Sequence, residues 1–519
     1  MVLFPKTFFS FSPFGRNAWK IGSLCIFLFL GLLVLGTIAF SAFFDIEKSV
    51  NNFFQAGWKT LYAGNVDPEN GEVNSDFTYN VKYYDPQGNY DTPASLKAHI
   101  LKAGVEVANC DMSNTDESNK IYSCSKSLAS PGADYRYYFE GDSLPFPYPK
   151  QGYLDGPVVY KTYIENANAD SFIKSECPNK NFGNGDDFGD FNLFVGRWEE
   201  MDAELNRRTL IKFDLSSIPR NSYILSAKLN LFVPDKQIGG TPDNEKIYIH
   251  RITKDWKEYE VTWNNRDSQH LWDSPGGDFD PNISDSIIVK DKYDDGWKSF
   301  DVTSDVQLFV NGEPNYGWLL RDPLEGNYDR EWQVMFRARE NSLNHPYLEI
   351  KYVPGPLINE VYYDVAPDKG SESPKGTNEW IELYNPTSNS IDISGWQICD
   401  NNSCNTIPTG TSPIPANGFA VVTPDASTWN YWAIPEEVIK IVLTEDEIGN
   451  GLSNTGDRLI LKDPNGNPVD GISYGSDTTV FNPSAPDVSE GHSLERKAPG
   501  WDTDSANDWQ DREIPTPGQ

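Results

Sequence analysis

The sequence predicts an all-β protein, built as tandem β-sandwiches behind one N-terminal transmembrane helix. Three observations support this fold class: short apolar segments alternate at every second residue, 40 Gly and 36 Pro residues punctuate them, and one uncharged run of 24 residues stands near the N-terminus. Strand side chains alternate between two faces, whereas Gly and Pro favour the turns between strands. The 519 residues of the chain suffice for about three domains.

The uncharged run covers residues 21–44 and would reach about 36 Å as a helix, enough to cross a hydrocarbon core of roughly 30 Å. Basic residues precede the run and acidic residues follow it. The positive-inside rule therefore places residues 1–20 in the cytoplasm and the rest of the chain outside the cell. A signal peptide cleaved near Ser41 is the alternative, but the apolar region of such peptides is typically only about 7–15 residues long. We expect a single-pass protein of the cell membrane, held by this signal anchor.

The charge balance restricts the partners of the exterior part. The chain has 76 acidic and 43 basic residues, a net charge of −33. Such a chain repels nucleic acid and anionic lipid surfaces rather than gathering them. We therefore expect no nucleic-acid partner.

The cysteines outside the uncharged run fall into two close pairs and one remainder. Cys110 with Cys124, and Cys399 with Cys404, fit local disulfide bonds in an exported protein. The five histidines are scattered singly, which does not fit the clustered ligands of a zinc site. Cys177 is either a buried thiol or an intermolecular partner.

Residues 45–75 are predicted to form a stalk and a linker. Apolar residues recur at helical spacing after the anchor, so the helix is expected to continue to about Tyr62, and the following stretch to Ser75 is polar and rich in turn residues. From Phe77 the period changes to two, which predicts a small sandwich over residues 76–150. The stretches YNVKYYDPQGNYDTPASLKAHI and DYRYYFEG of this segment resemble immunoglobulin-like modules of microbial surface proteins.

Ordered motifs occupy residues 155–353. They are NRRTLIKFDLSSIP, ILSAKLNLFV, DWKEYEVTWN, WKSFDVTSDVQLFVNG, NYGWLL, and FRARE with PYLEIKY. In this order they resemble the DNRLRE, or disaggregatase-related, domain. The resemblance implies a β-jelly-roll sandwich, similar to a class of carbohydrate-binding modules, on a secreted or surface protein.

Cations on the strands of this segment are candidates for contact with an acidic ligand. Alternation along residues 209–215 sends Ile211 and Phe213 to the core, and Arg208 and Lys212 to the opposite face. A polar groove on that face would suit an acidic polysaccharide; alternatively, each cation pairs with a neighbouring carboxylate. The predicted ligand-binding cations are Arg208, Lys212, Arg251, Arg337 and Arg339.

Tryptophan side chains are the other candidates, because flat aromatic rings stack on the apolar faces of sugars. Trp256 and Trp263 lie within the motifs, where core packing is expected. Trp272 and Trp332 are flanked by polar residues, which favours exposure and predicts a ligand-binding role.

A possible cation site lies in the loop NGDDFGD. Its three carboxylates, those of Asp186, Asp187 and Asp190, stand among glycines, an arrangement that suits a hard cation such as calcium. The alternative is an acidic surface turn without a metal.

Residues 355–519 follow the turn sequence PGP and carry a second set of motifs. They include NEWIELYNP, IDISGWQIC, IPANGFAVV, LSNTGDRLILKDPNGNPVDGISY and GHSLERKAPGWDTDSANDW. These motifs resemble a lamin-tail domain, which implies another immunoglobulin-like sandwich. The segment has 8 Lys and Arg against 26 Asp and Glu, net −18, and the chain lacks the coiled-coil rod of lamins. A prokaryotic surface protein is therefore the expected setting, not a nuclear envelope.

No nucleophile elbow, HExxH, P-loop or dinucleotide fingerprint occurs in the sequence. Since modules of non-catalytic type fill nearly all of the exterior part, we do not expect an enzyme. The sequence predicts a membrane-anchored surface protein that binds polysaccharide through its central sandwich. The alternative is a structural or adhesive scaffold that presents the lamin-tail domain to a protein partner.

Overall fold

The computed structural model describes residues 59–86, 95–142, 144–186, 190–200, 203–235, 238–240, 242–325, 331–371 and 377–519. Within them, β-strands build six sheets, and the helices are α1 (Thr303–Val310) and two 3-10 turns, Ala426–Asn430 and Ala506–Asp508. The predicted all-β fold class is confirmed. None of the helices in these ranges has the length and apolar character needed to cross a membrane, and the predicted anchor at residues 21–44 lies outside the ranges.

The N-terminal sandwich packs two four-stranded sheets face to face. One contains, in order across the sheet, β1 (Thr60–Asp67), β3 (Asp76–Tyr84), β7 (Ile121–Ser127) and β6 (Ser113–Asp116). The other contains β5 (Val105–Asp111), β4 (Leu96–Lys102), β8 (Tyr135–Gly141) and β9 (Leu154–Asp155). The period-two alternation buries Phe77, Tyr79 and Val81 as predicted, and the predicted Cys110–Cys124 disulfide joins β5 to β7.

The predicted stalk and linker are wrong for the described residues between 60 and 75. Strand β1 pairs with β3 there, and Leu61 and Val66 are buried in the core of the N-terminal sandwich. A bulge between Tyr62 and Asn65 shifts the register, so the two inward residues stand five positions apart. When two buried residues of a strand are an odd number of positions apart, the sequence does not show the period of two by which strands are predicted.

The central sandwich has two sheets, named sheet I and sheet II. Sheet I contains β18 (Gly296–Asp301), β14 (Tyr223–Val233), β21 (Tyr347–Val353), β10 (Val158–Asn166) and β2 (Asn70–Glu72). Sheet II contains β15 (Ile238–Gly240), β20 (Trp332–Arg337), β12 (Asn192–Glu200), β13 (Ala203–Lys212), β19 (Trp318–Arg321), β16 (Glu245–Arg251) and β17 (Asp285–Val289), with β11 (Ala169–Lys174) paired to β13. Aliphatic and aromatic side chains from both sheets form one core between them.

Strand β2 belongs to sheet I, although its chain neighbours lie in the N-terminal sandwich. It pairs in parallel with β10, from Asn70 opposite Val158 to Glu72 opposite Tyr160. Backbone hydrogen bonds from Val158 to Glu69 and from Val73 to Tyr160 extend the pairing, each 2.9 Å long. The N-terminal and central sandwiches therefore share a sheet.

Residues 252–284, named the covering segment, fold over the outer face of sheet II. Leu210 and Leu319 of the sheet pack there against Trp256, Val261 and Trp272 of the segment. This second apolar cluster means that both faces of sheet II are buried in this region.

The C-terminal sandwich packs a six-stranded sheet on a four-stranded sheet. The first contains β27 (Ile439–Val442), β26 (Phe419–Thr423), β23 (Trp380–Tyr384), β22 (Leu357–Tyr362), β30 (Ser493–Arg496) and β31 (Trp509–Arg512). The second contains β25 (Cys404–Thr406), β24 (Gln397–Cys399), β28 (Arg458–Lys462) and β29 (Pro468–Ser473). The predicted Cys399–Cys404 disulfide joins β24 to β25, whereas Cys177 has a free, half-buried thiol.

Candidate functional site

Arg208 lies on the outer face of sheet II, as the alternation along β13 predicts, but its guanidinium is already paired. Its Nε and Nη2 donate to the two carboxylate oxygens of Glu325 at 2.9 and 2.6 Å. The rings of Trp263 and Phe279, both from the covering segment, lie 4.8 and 5.6 Å from the guanidinium carbon. Arg208 is thus part of a packed cluster and does not present a free cation to solvent.

Arg251 lies on the wrong side of its strand for the predicted groove. Its alternating neighbours along β16, Ile247 and Ile249, face the core between the two sheets, whereas Arg208 faces outward. Its Nη2 lies 3.3 Å from Oδ2 of Asp280. The prediction that Arg251 shares a face with Arg208 is therefore wrong, because Arg251 lies on the same side of its strand as the core residues Ile247 and Ile249.

Arg337 and Arg339 alternate with the core residues Phe336 and Ala338, so both lie on the outer side of sheet II, but each is already hydrogen-bonded to another side chain. Arg337 donates from Nη1 to the amide oxygen of Asn341 at 3.0 Å. Arg339 binds Glu258 with two hydrogen bonds, 2.6 Å from Nε and 2.8 Å from Nη2. These bonds to Glu258 raise the pKa of the Arg339 guanidinium.

Three carboxylates surround Arg339. Oxygens of Asp170, Glu258 and Glu340 all lie within 4.8 Å of one another, which is the spacing of a possible cation site. Burial raises the pKa of Asp170 to about 8, even though the backbone N–H of Arg339 donates to its Oδ2 at 2.8 Å. Because the Arg339 guanidinium already compensates this negative charge, we assign no metal to the group.

Lys212, one of the predicted cations, lines a cavity. A cleft of about 330 Å³ lies between the central and C-terminal sandwiches, and Lys212 and Arg220 both contribute to its wall. Lys212 Nζ lies 3.2 Å from Oδ1 of the exposed Asp255, and Arg220 donates from Nη2 to the carbonyl of Asn311 at 3.3 Å. The amide side chains in the wall are those of Asn168, Asn315, Asn465 and Asn467.

The two tryptophans predicted to be exposed are buried. Trp332 is 0% exposed and donates from Nε1 to Oδ2 of Asp322 at 2.7 Å. Trp272 is 4% exposed, and its Nε1 donates to the carbonyl of Thr262 at 3.0 Å within the covering segment. For Trp332 the polar neighbours misled the prediction, because adjacent residues of a strand point to opposite faces. Trp272 lies outside the strands and is buried because the covering segment packs it against the outer face of sheet II.

Trp297, which is not among the predicted ligand-binding residues, is an exposed tryptophan in the described part of the central sandwich. It lies on the outer face of sheet I with 44% of its surface accessible. The rings of Phe232 and Tyr347 flank it, with centroids 5.2 and 5.1 Å away. Alternation along WKSFD, with Phe300 inward, could have identified Trp297 as an outward residue.

The predicted calcium loop is described in part. Asp186 accepts hydrogen bonds from the backbone N–H of Asp190 at 3.0 Å and from Nδ2 of Asn192 at 3.1 Å. Asp187 lies outside the described residues. Both oxygens of Asp186 thus have a protein donor, and calcium binding by this loop stays a prediction.

The fold defines a chain of tandem β-sandwich domains. Residues 161–352 match the model of carbohydrate-binding module family 96, and residues 353–476 match that of the lamin tail domain. The chain therefore carries a family 96 carbohydrate-binding module followed by a lamin tail domain. This confirms the DNRLRE-type and lamin-tail resemblances of the sequence.

Two bacterial nucleases are similar to part of this chain. The tRNA nuclease WapA of Bacillus subtilis is 24% identical over 246 residues, which cover 44% of this chain and 10% of that protein. The tRNA3(Ser)-specific nuclease WapA of Bacillus spizizenii matches with the same identity and coverage. The chain spans about a tenth of the length of these relatives, so the nuclease activity in their names is a statement about those proteins.

Solved structures give only distant similarity. Trypsin-activated alpha-2-macroglobulin from Escherichia coli aligns over 81% of this chain and 24% of that chain, at 10% identity and a TM-score of 0.17. The cycloalternan-forming enzyme from Listeria monocytogenes aligns over 57% of this chain and 30% of that chain, at 7% identity and a TM-score of 0.19. Similarity at this level carries no argument about function.

Proposed function

We propose that this chain is a non-catalytic surface protein that binds extracellular polysaccharide through its central sandwich, and that the preferred polymer is acidic. The match to a carbohydrate-binding module over residues 161–352 supports the ligand class. The single observation that carries the acidic preference is the position of Lys212 and Arg220 on one wall of the cleft between the central and C-terminal sandwiches.

The electrostatics of the cleft fit a carboxylated sugar. Among the described residues, Arg220 makes no ion pair, and the one carboxylate paired with Lys212 belongs to the exposed Asp255. A ligand carboxylate can displace such a solvent-exposed pair at little cost, because pairs of this type contribute only about 0–1 kcal/mol. Asp214 and Asp463 also line the cleft. The Asp214 carboxylate accepts a hydrogen bond from the backbone N–H of Ser216, and that of Asp463 accepts from the backbone N–H groups of Asn465 and Asn467. Both carboxylates thus bind the backbone of their own turns.

Titration of the full chain with polygalacturonate tests this proposal. We expect binding that weakens as salt rises, because screening shortens to roughly 8 Å at physiological ionic strength. Lys212→Ala and Arg220→Ala should each weaken the affinity about fivefold. Lys254→Ala is the matched control, since Lys254 is exposed on the same sandwich, pairs with Asp273 at 3.5 Å and lies outside the cleft. Equal binding by all three variants would contradict the cleft as the site.

Membrane attachment through residues 21–44 is part of the same proposal and rests on the sequence alone. Protease added to intact cells should then remove the sandwiches and leave a short membrane fragment. A mature protein that begins near Ala42 would instead establish cleavage of the segment.

A scaffold function is the second candidate. It is favoured by the direct contact between the N-terminal and C-terminal sandwiches, where the backbone N–H of Asp502 donates to Ser130 Oγ at 3.0 Å and that of Ala133 donates to the Pro386 carbonyl at 3.2 Å. Such contacts fix the direction in which a lamin-tail domain is displayed to a protein partner. Retention of the full chain on acidic glycan would favour the binding function over this one.

A further inference from the structure

The outer face of sheet I carries a second set of ligand-type features, distinct from the cleft. Leu229, Leu231 and Phe300 of this sheet point into the core, so the alternating residues of the same strands point outward. Among these, Trp297 and Ser299 are exposed. No residue of this face lines the cleft.

Two neighbouring aromatic rings, those of Phe232 and Tyr347, fix the orientation of the Trp297 ring. Phe232 lies directly opposite it in the register of β14 and β18, and Tyr347 reaches it from β21. The interplanar angles are 68° with Phe232 and 76° with Tyr347, both edge-to-face arrangements. A ring fixed in this way loses little conformational entropy when a ligand stacks on it.

Neutral hydrogen-bonding groups lie in the next row of the same face. Asn230 is opposite Ser299 on one side and Tyr347 on the other, and Asn166 follows Tyr347 across the sheet. The amide of Asn230 is oriented by its bond from Nδ2 to the carbonyl of Lys228, 2.9 Å long. An aromatic ring beside a row of amides and hydroxyls matches a sugar, which has an apolar face and polar edges.

The charged residues of the face cancel one another. Lys228 Nζ lies 2.6 Å from Oδ2 of Asp301, and Lys351 Nζ lies 3.8 Å from Oε1 of Glu349. With these cations matched by carboxylates, in a chain of net charge −33, the face has no excess positive charge for an anionic polymer. The exposed large apolar side chains of the face are those of Trp297 on β18 and Ile164 on β10, with β14 and β21 between them, so they do not form the continuous apolar patch typical of a stable protein interface.

We propose that the outer face of sheet I binds a neutral glycan chain, with Trp297 stacking on a sugar ring and the exposed side chains of Ser299 and Asn166 hydrogen-bonding to its hydroxyl groups. This is a second binding site of the central sandwich, with a different ligand class from the cleft. It gives the chain two independent contacts with a mixed polysaccharide matrix, one sensitive to salt and one insensitive.

The test uses isothermal titration of the full chain with four neutral polymers: hydroxyethylcellulose, arabinoxylan, laminarin and galactomannan. At least one should bind, with an affinity that does not change between about 0.1 and about 1 M salt. Trp297→Ala should weaken that binding about tenfold or more, and Ser299→Ala should weaken it by a smaller factor. Tyr431→Ala, at an exposed aromatic residue of the C-terminal sandwich, is the matched control.

Lys212→Ala separates the two sites. It should leave the neutral binding unchanged, while Trp297→Ala should leave polygalacturonate binding unchanged. Because the Ser299 side chain is exposed, weaker binding by the Ser299→Ala variant with an unaltered melting curve excludes unfolding as the cause. Failure of all four neutral polymers to bind, or equal binding by the wild-type chain and Trp297→Ala, would overturn the proposal whatever the result with polygalacturonate.

Discussion

The hydroxyl of Tyr384 donates a hydrogen bond of 2.8 Å to Oδ2 of Asp134, across the boundary between the C-terminal and N-terminal sandwiches. The other carboxylate oxygen of Asp134 accepts from Nζ of Lys102 at 2.6 Å. All three side chains are buried, and burial lowers the pKa of Lys102. Two domains that are more than 200 residues apart in sequence are thus joined by a fully desolvated charge network.

We predict that Tyr384→Phe lowers the free energy of unfolding by about 2 kcal/mol, because a buried hydrogen bond to a charged acceptor is lost. Urea denaturation measures the change. Tyr431→Phe, at an exposed tyrosine of the same sandwich, should change the stability by less than about 0.5 kcal/mol. Equal effects of the two substitutions would mean that the contact between the sandwiches contributes nothing.

Lys102→Met should be more severe, at about 3–5 kcal/mol, because it leaves the Asp134 carboxylate without its cation in a buried site. The double variant Lys102→Met with Asp134→Asn should recover about half of that loss, since Asn removes the charge and keeps an acceptor for Tyr384. Denaturant unfolding of both variants checks this. If the second substitution adds to the damage, the buried ion pair is not the source of the effect.

Three glutamates lie side by side across the six-stranded sheet of the C-terminal sandwich. Glu382, Glu360 and Glu495 are direct cross-strand neighbours on β23, β22 and β30. Burial raises the pKa of Glu360 to about 8, and burial with the nearby Glu360 raises that of Glu382. The C-terminal residues cover the row, with the backbone N–H of Thr516 donating to Glu360 at 3.1 Å and that of Gly518 donating to Glu382.

The raised pKa of Glu360 predicts that stability falls as pH rises. The folded state keeps the proton up to about pH 8, whereas the unfolded glutamate releases it near 4.5. The stabilisation is therefore complete below pH 4.5, falls by about 1.4 kcal/mol per pH unit above it, and is lost once pH passes about 8.

Glu360→Gln replaces the titrating carboxyl group with a neutral amide, so the stability of the variant no longer falls with pH through this group. The variant should therefore gain stability relative to wild type between about pH 5 and about pH 8. Urea denaturation across that range measures the difference and cancels contributions from other buried carboxyls such as Asp170. Glu490→Gln, at an exposed position of the same sandwich, should leave the pH profile unchanged. Parallel profiles for wild type and Glu360→Gln would show that Glu360 ionises normally.

Calcium binding by the loop of Asp186, Asp187 and Asp190 remains a prediction. A cation that binds only the folded state raises the melting temperature by mass action, so the full chain should melt higher in calcium than in chelator. Asp187→Ala should abolish the difference. Identical melting curves of the wild-type chain in both conditions would remove the site.

The sequence predicted what depends on local periodicity. Phe77, Tyr79 and Val81 alternate without interruption, and the structure buries all three. The same rule applied to Trp332 would have buried it beside Val334 and Phe336, since the three share one parity of β20. The polar neighbours that suggested exposure lie on the other face of that strand.

The fate of the predicted cations depended on residues far away in sequence. Glu325 lies 117 residues from Arg208, and Glu258 lies 81 residues from Arg339. Spacing along the chain contains no information about such pairs, because the sheet order and the covering segment bring them together. The sequence could therefore indicate which cations lie on strands of the central sandwich, but not which of them remain available to a ligand.

Sheet I of the central sandwich is completed by a strand from the N-terminal part of the chain, because β2 pairs in parallel with β10. A gene fragment that starts at residue 155, where the sequence places the module boundary, would encode sheet I with the edge of β10 bare, and an unpaired edge invites association with another chain. A fragment that starts at residue 59 would include β2, which pairs with that edge of β10. We therefore expect the N-terminal and central sandwiches to be kept together when the gene is recombined and when a fragment is expressed.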